Sequence, residues 1–405
     1  MNRLSFTGEE KAIILFTGLS HYLVHAFMLI FPAVLLSISE EFGVGFFTLG
    51  IAGNIAYFAF GLGALPAGYL CDKLGPVKLL LLFLTGAAAF SFLVSFSVNF
   101  WIFTIFLTGL GMLGSIYHPA GLTFISKTVR NRSRALGYHG IGGSLGLASA
   151  PVISGFLASR YSWRAPFLIF SLISLPIIAL LHFSKVKSGT YFTEEERKSR
   201  IRTDRRSILL FYMIAVLIGF AYRGTFTFLP LHFAENIKVS WLTVGDLTRG
   251  GLITSVVLVA GMFGQLTGGK FGEKYRLEPF LVVLLILNIP FLISMGIFKD
   301  EILILTSIIF AFTHFIWQPV GNSLIAKYTS FRRRGLGYGI SNFLTFGVGS
   351  FSSGISGYIA ESAGVNYVFI FLGSILSISI LIALILWKVS TYERAVPSPG
   401  PMPFS

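Results

Sequence analysis

The sequence has little charge and almost no cysteine. Only 12% of its 405 residues are charged, and Cys71 is the one cysteine. A single cysteine excludes an internal disulfide, and so little charge is atypical of a soluble domain. In contrast, 54% of the residues are hydrophobic and 42 are phenylalanine. The composition therefore indicates a protein that lies in a membrane.

Twelve apolar segments are each long enough to cross a bilayer, which requires about 20 residues. Because backbone polar groups in hydrocarbon must be satisfied within the segment, we expect all twelve to be helices. We number them spans 1 to 12: residues 12–37, 46–70, 77–97, 101–125, 135–158, 165–183, 207–232, 242–267, 279–298, 302–326, 335–359 and 366–388. The sequence thus predicts an all-α membrane protein with twelve transmembrane helices.

Acidic residues are scarcer than basic ones, 17 against 31, which gives a net charge of +14. Most of the Lys and Arg fall at the termini and in the loops that lead from even to odd spans. This positive-inside bias predicts cytoplasmic termini in an inner (plasma) membrane, among membrane lipids. It also explains the basic charge without nucleic acid, so we expect no nucleic-acid partner.

The chain contains two related halves. Residues 115–121, Ser-Ile-Tyr-His-Pro-Ala-Gly, match residues 315–321, Phe-Ile-Trp-Gln-Pro-Val-Gly, at an offset of 200. We therefore predict two pseudo-symmetric six-helix bundles, whose shared site could open to either side of the membrane as they rock. The predicted divisions are an N-terminal bundle over 1–184, a cytoplasmic linker over 185–206, a C-terminal bundle over 207–390 and a disordered cytoplasmic tail over 391–405.

The loop after span 2 carries a family signature. Its sequence, Gly68-Tyr-Leu-Cys-Asp72-Lys73-Leu-Gly75, resembles the loop between helices 2 and 3 of the major facilitator superfamily, and a degenerate copy ends in Glu273 and Lys274. The resemblance implies the fold of that superfamily and a secondary transporter. It also implies a cytoplasmic gate formed by Gly68, Asp72, Lys73, Gly75, Glu273 and Lys274. The alternative is that these charges are solvated loop residues.

Span 5 resembles a stretch that exporters of the superfamily carry in helix 5. The matching positions are Gly142, Gly146, Pro151 and Gly155, with Ala150 in place of the glycine before the proline. The resemblance implies efflux by proton antiport. The alternative is simple helix packing, since small residues four apart let helices approach closely in any membrane protein. The arginine that the family often has in helix 4 is missing from 107–114.

Polar side chains inside the spans are few, and no Asp or Glu lies near the centre of any span. In the resembled fold, helices 1, 4, 7 and 10 line the central cavity, and these spans hold all but one of the polar groups; the exception, His139, lies early in span 5. The candidate cavity residues are His21, His25, Tyr117, His118, Arg223, His314, Trp317 and Gln318. Buried ionisable groups in membranes usually face a cavity and have a function.

Three interpretations of these residues remain open. His21 and His25, four apart, share a helix face, and alignment through Pro32 and Pro230 places His25 opposite Arg223, which suggests an anionic substrate. The alternatives are that Arg223 extends to the interface and that the histidines only bond neighbouring helices. Since histidine titrates near neutral pH, His25 or His118 could couple transport to protons. Two histidines four apart also resemble metal ligands, but no Cys or carboxylate completes the set, so no metal is expected.

The sequence therefore predicts a secondary active transporter that moves a small-molecule substrate by alternating access, with proton-coupled efflux as the leading hypothesis. Uptake or facilitated transport of an organic anion is the first alternative, and a non-transporting receptor or enzyme on the same fold is the second. Glycine patterns that spell a dinucleotide fingerprint (109–114) and a nucleophile elbow (142–146) lie within helices. We expect a monomer with no enzymatic activity and no cofactor.

Overall fold

In the computed structural model, the described residues are 6–129, 132–184, 186, 203–329 and 334–395. Within these ranges the chain forms helices joined by short connections and contains no strand. Eleven segments are long and apolar enough to cross a membrane, and a twelfth helix, α11, is broken into shorter pieces. The prediction of an all-α protein with twelve membrane helices is confirmed.

The helices α1 to α12 correspond to spans 1 to 12. Two of them are interrupted, α4 at residues 115–116 and α11 by a π-helical turn, Phe343–Gly347, followed by a 3₁₀ turn, Val348–Ser350. Their bounds are Gly8–Ala33, Phe46–Leu74, Pro76–Ser95, Phe100–Gly114 with Tyr117–Thr128, Arg132–Arg160, Arg164–Phe183, Arg205–Asn236, Asp246–Lys274, Leu277–Met295, Asp300–Tyr328, Arg334–Asn342 with Phe351–Ser362, and Val365–Ala395. A short helix, Leu35–Phe42, connects α1 to α2.

Two element boundaries differ from the prediction. The segment from Gly68 to Leu74, predicted as a loop, is the last part of α2, which ends only where Gly75 adopts φ of +84°. A positive φ is accessible to glycine at little cost, so the second glycine of the signature terminates the helix. At the C-terminus, α12 continues to Ala395, so the first five residues of the predicted disordered tail are helical. The rest of the tail, and almost all of the predicted linker, lie outside the described residues.

Each half places four helices in a front row and two behind it. In the first half the front row runs α2, α4, α1, α5, with α3 and α6 behind; in the second it runs α8, α10, α7, α11, with α9 and α12 behind. The rows meet along two seams, α2 against α11 and α5 against α8. The front helices of both halves therefore surround a common central region.

The two halves touch closely at one end of the molecule. We call this the far end, because it lies opposite the terminal end, where α1 begins and α12 ends. At the far end the backbone N–H of Phe47 on α2 donates to the Glu361 carboxylate of α11 at 2.9 Å. On the other seam, the hydroxyls of Ser159 on α5 and Thr248 on α8 lie 2.7 Å apart. These bonds close both seams at the far end.

Contacts between the halves become sparser toward the terminal end. Midway along α2, the Ser350 hydroxyl of α11 still donates to the Asn54 side chain at 2.8 Å. A Cβ added to Gly68 on α2, or to Gly140 on α5, would meet nothing within 4 Å. The side chain of Tyr69, one residue farther along α2, is 62% exposed. Among the described residues, the hydrogen bonds between the halves therefore lie mainly toward the far end.

Candidate functional site

Three histidines of the first half form a compact cluster. The Nε2 atoms of His21 and His25, on one face of α1, lie 3.1 Å apart. The ring of His118, on α4, lies 5.5 Å from the ring of His21 and 5.6 Å from that of His25. One nitrogen from each ring can be chosen so that all three lie within 4.8 Å of one another. We call His21, His25 and His118 the histidine cluster.

Tyr117 and His139 support the cluster from behind. The Tyr117 hydroxyl donates to the Thr17 carbonyl at 2.7 Å and lies 3.3 Å from Nδ1 of His139. The His139 ring stacks on His21 with centroids 4.4 Å apart, and its backbone carbonyl lies 3.2 Å from Nδ1 of His21. His139 was not predicted as a site residue, because it lies in span 5 and not in one of the spans that line the cavity in the resembled fold. Gly143, one turn later, lets α5 approach His21.

Pro119 explains how α4 presents Tyr117 and His118. A proline lacks the N–H that would bond the carbonyl four residues earlier, and its ring clashes with that carbonyl. That residue is Ser115, and α4 is interrupted at 115–116. Tyr117 and His118 begin the second piece of the helix. Gly121 then leaves room for the tyrosine ring, which lies 3.1 Å from where a Cβ would stand.

Arg223 on α7 lies in a box of aromatic rings between the halves. It is only 7% exposed, and its guanidinium lies 4.2 Å from the ring centroid of Tyr57 on α2 and 5.0 Å from that of Phe346 on α11. Cation–π contacts of this kind stabilise a desolvated cation by about 2 kcal/mol. Its Nε has no hydrogen-bond partner among the described residues. The alternative that Arg223 extends to the membrane interface is therefore wrong.

Phe60 connects the arginine to the histidine cluster. The centroid of its ring lies 6.2 Å from the His118 ring and 6.0 Å from the Arg223 guanidinium. Phe60 and Tyr57 are one turn apart on α2, and neither was predicted as a site residue. A phenylalanine among 42 gives no signal in the sequence. The histidine cluster of the first half and the arginine of the second half thus both lie beside the Phe60 ring.

The remaining candidates lie elsewhere in the second half. Nδ1 of His314 is 3.2 Å from the Asn288 side-chain oxygen of α9, which directs the ring into its own bundle. The Trp317 ring stacks on Phe211 at 5.3 Å. Gln318 is exposed and accepts a hydrogen bond from the Gln265 amide at 2.7 Å. The eight predicted cavity residues therefore divide into the cluster with Tyr117, the arginine box and three separate positions.

Most of the predicted gate side chains cannot be assigned contacts. Those of Asp72, Glu273 and Lys274 lie outside the described residues. Lys73 is exposed, and its ammonium lies 4.5 Å from the ring centroid of Tyr69. Gly75 has the positive φ noted above, and Gly68 faces open space. The gate function of this motif stays a prediction.

The predicted packing residues of span 5 lie at close helix contacts. A Cβ at Gly142 or Gly146 would overlap a backbone carbonyl of α1, that of Gly18 or Tyr22. Farther along α5, a Cβ at Gly155 would overlap a carbonyl of α8, and the Pro151 carbonyl abuts Gly251 of α8. One face of α5 thus packs on the cluster helix and the other closes the seam between the halves.

The sequence is similar to multidrug resistance proteins of bacteria. The chain is 28% identical over 287 residues to the multidrug resistance protein MdtG of Salmonella arizonae, covering 67% of this chain and 69% of that protein. It is likewise 28% identical over 291 residues to MdtG of Serratia proteamaculans, with 67% and 68% covered.

Solved structures share the fold at low sequence identity. A bacterial homologue of the human lysosomal transporter Spinster, in an inward-facing and occupied conformation, has a TM-score of 0.79 at 14% identity, covering 98% of this chain and all of that one. A D-xylose–proton symporter has a TM-score of 0.75 at 15% identity, with 93% and 97% covered. The family model of the Major Facilitator Superfamily matches residues 14–247 and 243–404. Because those matches extend over nearly the whole chain, the protein belongs to the Major Facilitator Superfamily of transporters.

Proposed function

We propose that this transporter exports a small anionic solute from the cytoplasm in exchange for protons. In this proposal it lies in the inner membrane with both termini cytoplasmic. The observation that carries the proposal is the pairing of a histidine cluster with a buried arginine, both beside the Phe60 ring, between halves that bond each other at the far end. Alternating access then requires the seams to open at the far end and close at the terminal end.

Arg223 supports an anionic substrate. Among the described residues, no carboxylate pairs with this buried guanidinium. An uncompensated buried cation is costly, and a bound anion would offset that cost. The planar fork of donors on the guanidinium matches carboxylate or phosphate geometry. Because Tyr57 and Phe346 contact it from the ring faces, an anion would approach the edge that carries the N–H groups. The bound anion would then be held by one half and face the imidazoles of the other.

The direction of transport is supported by the relatives and by the distribution of basic residues. The named relatives are multidrug resistance proteins, a function that is met by export. The terminal end carries most of the basic residues and is therefore the expected cytoplasmic side. An exporter must present its site to the cytoplasm when it takes up the substrate.

Protons are the proposed counter-ion because of the groups available at the centre. The acidic side chains with described contacts, such as Glu10, Glu278 and Glu361, lie at helix ends, whereas the central groups are imidazoles. Histidine is the side chain that most readily exchanges a proton near neutral pH. A symporter of the same fold couples its substrate to protons, which supports the coupling only at the level of the fold.

The test uses inside-out vesicles that contain the protein, with a pH-sensitive dye trapped inside. With an acidic interior, organic carboxylates and phosphates added outside should accumulate and release internal protons, and a protonophore should abolish both signals. We expect His25→Gln and His118→Gln to lose the proton release, whereas the exposed His182→Gln should behave as wild type. Retained proton release in the double variant His25→Gln/His118→Gln would refute the coupling.

The same vesicles separate the alternatives. Facilitated movement of an organic anion through the same arginine box predicts entry that stops at equilibrium and does not depend on the imposed pH gradient, and uptake predicts no accumulation inside these inside-out vesicles. A non-transporting receptor predicts binding without counter-flow of labelled solute. Accelerated proton release by lipophilic cations, with none by anions, would contradict the assignment of Arg223 as the substrate anchor.

A further inference from the structure

The nitrogen atoms of the histidine cluster are spaced like ligands of one metal ion. Two imidazoles bound to the same tetrahedral ion, with bonds of about 2.0–2.1 Å, hold their nitrogens roughly 3.4 Å apart. The Nε2 atoms of His21 and His25 are 3.1 Å apart, and one nitrogen can be chosen from each of the three rings so that all three lie within 4.8 Å of one another. Because His118 is on a different helix, a small rotation of its side chain would bring three donors onto one ion.

The orientation of His21 also fits a ligand. Its Nδ1 lies 3.2 Å from the backbone carbonyl of His139. Because a carbonyl oxygen only accepts hydrogen bonds, the ring nitrogen must be the donor. This bond places the proton on Nδ1 and leaves a lone pair on Nε2, directed at His25. Metal-binding histidines almost always donate their second ring nitrogen in this way, because the outer partner fixes the tautomer and the ring orientation.

The ligand set restricts the kind of ion. Neutral imidazoles suit zinc, copper, nickel and cobalt, whereas magnesium and calcium require oxygen ligands. Three protein ligands leave a fourth position open, as in zinc sites that exchange a bound molecule rather than in closed structural sites. A site with an open position on a transporter is suited to cargo that must arrive and leave.

Charge then decides what accompanies the ion. A divalent cation in the cluster would lie close to Phe60, whose ring also lies 6.0 Å from the Arg223 guanidinium, and the cluster contains no carboxylate to offset its charge. Two uncompensated cationic groups at membrane depth are costly. The ion must therefore bring its own negative charge, and the Nε of Arg223, which has no partner among the described residues, is available to a carboxylate on the ion's other ligand.

We propose that the cluster binds a divalent transition-metal ion in complex with an anionic organic chelator, whose carboxylates bond Arg223. This inference rests on the proposed function, since it names the class of anion that is exported. The metal binds His21, His25 and His118, one donor of the chelator takes the fourth coordination position, and the rest of the chelator spans the Phe60 ring. Neither half alone provides both contacts, so binding depends on the two halves being together.

The experiment measures cobalt binding to the full-length protein, purified in detergent through a tag without histidine. Co²⁺ bound to imidazoles in a four-coordinate site absorbs visible light more strongly than cobalt citrate in water. We expect titration with cobalt citrate to give this signal. His25→Gln and His118→Gln should weaken binding by at least about tenfold, since even loss of an outer-shell partner costs 10–100-fold. The exposed His182→Gln is the matched control and should bind as wild type.

Arg223→Gln tests the chelator separately from the metal. It should weaken binding of cobalt citrate by about tenfold, because a charge-assisted bond is lost, and should not weaken binding of free Co²⁺, because it removes a positive charge near the cluster. A rise in the unfolding temperature of wild type with cobalt citrate, absent from His118→Gln, provides a second measurement that does not depend on the spectrum.

Several results would overturn the inference. They are no imidazole-type signal with wild type, equal binding by the histidine variants, or free Co²⁺ that binds more tightly than its citrate complex with no effect of Arg223→Gln. In each case, pH-driven transport of metal-free carboxylates by the same preparation would leave the proposed function standing. Absence of that transport, with metal binding intact, would instead remove the export proposal and keep the metal site.

Discussion

In the first half the Tyr117 ring lies 3.1 Å from where a Cβ of Gly121 would stand, and in the second half the Trp317 ring stands 3.1 Å from Gly321 in the same way. The close contact between front helices also recurs. Gly142 of α5 abuts Gly18 of α1, and a Cβ on Gly349 of α11 would lie 2.6 Å from the backbone of α7. The duplication has preserved the small residues that allow helices to touch.

The polar groups of the halves have diverged at the same positions. His118 corresponds to Gln318 by the offset of 200, yet the histidine faces the cluster, whereas the glutamine bonds Gln265 on a neighbouring helix of its own half. Pro119 interrupts α4, whereas α10 continues unbroken through Pro319. The comparison shows that the close helix packing follows the pseudo-symmetry, whereas the polar side chains at equivalent positions do not. The first half provides the imidazoles and the second the guanidinium.

The largest expected effect comes from removing the cation that the second half contributes. Arg223→Gln should lower transport of an organic anion by about 10–100-fold, since a hydrogen bond to a charged group contributes about 1.5–3 kcal/mol. Arg223→Lys should restore little, because an ammonium lacks the planar fork and stacks poorly on Tyr57. Initial rates in proteoliposomes at matched protein content measure this. Full activity in Arg223→Lys would show that a point charge suffices and that the fork is irrelevant.

The packing that the halves share can be broken on α5. Gly142→Ala would place a methyl group against the Gly18 carbonyl, and overpacking of this kind costs about 1–3 kcal/mol. Gly140→Ala, half a turn away on the same helix, meets nothing within 4 Å and should be neutral or slightly stabilising. Thermal unfolding in one detergent compares the two. Equal unfolding temperatures of the two variants would mean that the close contact between α1 and α5 at Gly142 does not contribute to stability.

The sequence was sufficient for the architecture but only partly for the site. Helix number, the repeat and the packing role of Gly142 follow from apolar length and from small residues four apart, which are local properties, whereas Gly75 was predicted as a gate residue and its role as the end of α2 was not predicted. The arginine box does not follow from local properties of the sequence. Tyr57 and Phe346 reach Arg223 from helices α2 and α11, which pack on α7 only in the folded protein. The cavity role predicted for His314 from its span stays a prediction. Its Nδ1 lies 3.2 Å from the Asn288 side-chain oxygen of α9, and its ring also stacks on Tyr222.

A smaller effect is expected at the far-end seam, where the halves meet. The Glu361 carboxylate accepts from the first turn of α2, and a negative charge at a helix N-terminus contributes about 0.3–1 kcal/mol. Glu361→Gln should therefore favour opening at the far end by about two- to five-fold. The rate of disulfide formation between cysteines at Phe47 and Tyr358, whose rings are 6.0 Å apart, should fall accordingly.

This seam experiment needs Cys71 replaced by serine, so that only the two introduced cysteines react. The exposed Glu40→Gln, also in the far-end connection between α1 and α2, is the matched control and should leave the rate unchanged. A rate that falls equally in both variants would assign the effect to surface charge rather than to the bond between the halves.

The smallest expected effect lies in the far-end connections within each half. In the first half, Arg164 donates to Glu41 at 2.7 Å, and the Trp163 indole donates to the same carboxylate at 2.7 Å. The hydrogen bond from Arg164, and less so that from Trp163, lowers the pKa of Glu41 below its usual 4.5. The second half instead joins Asp300 to the backbone N–H of Lys238 at 2.7 Å.

Because the folded-state pKa of Glu41 is lowered, its stabilisation is complete above the unfolded pKa and is lost as the pH falls through the folded pKa. Solvent screens this pair, since the Glu41 side chain is 41% exposed, so Glu41→Gln should shift the unfolding temperature only slightly at neutral pH. The difference between Glu41→Gln and wild type should vanish in strong acid. A difference that grows as the pH falls would mean that Glu41 is not stabilised as a carboxylate, and that the contact with Arg164 is incidental.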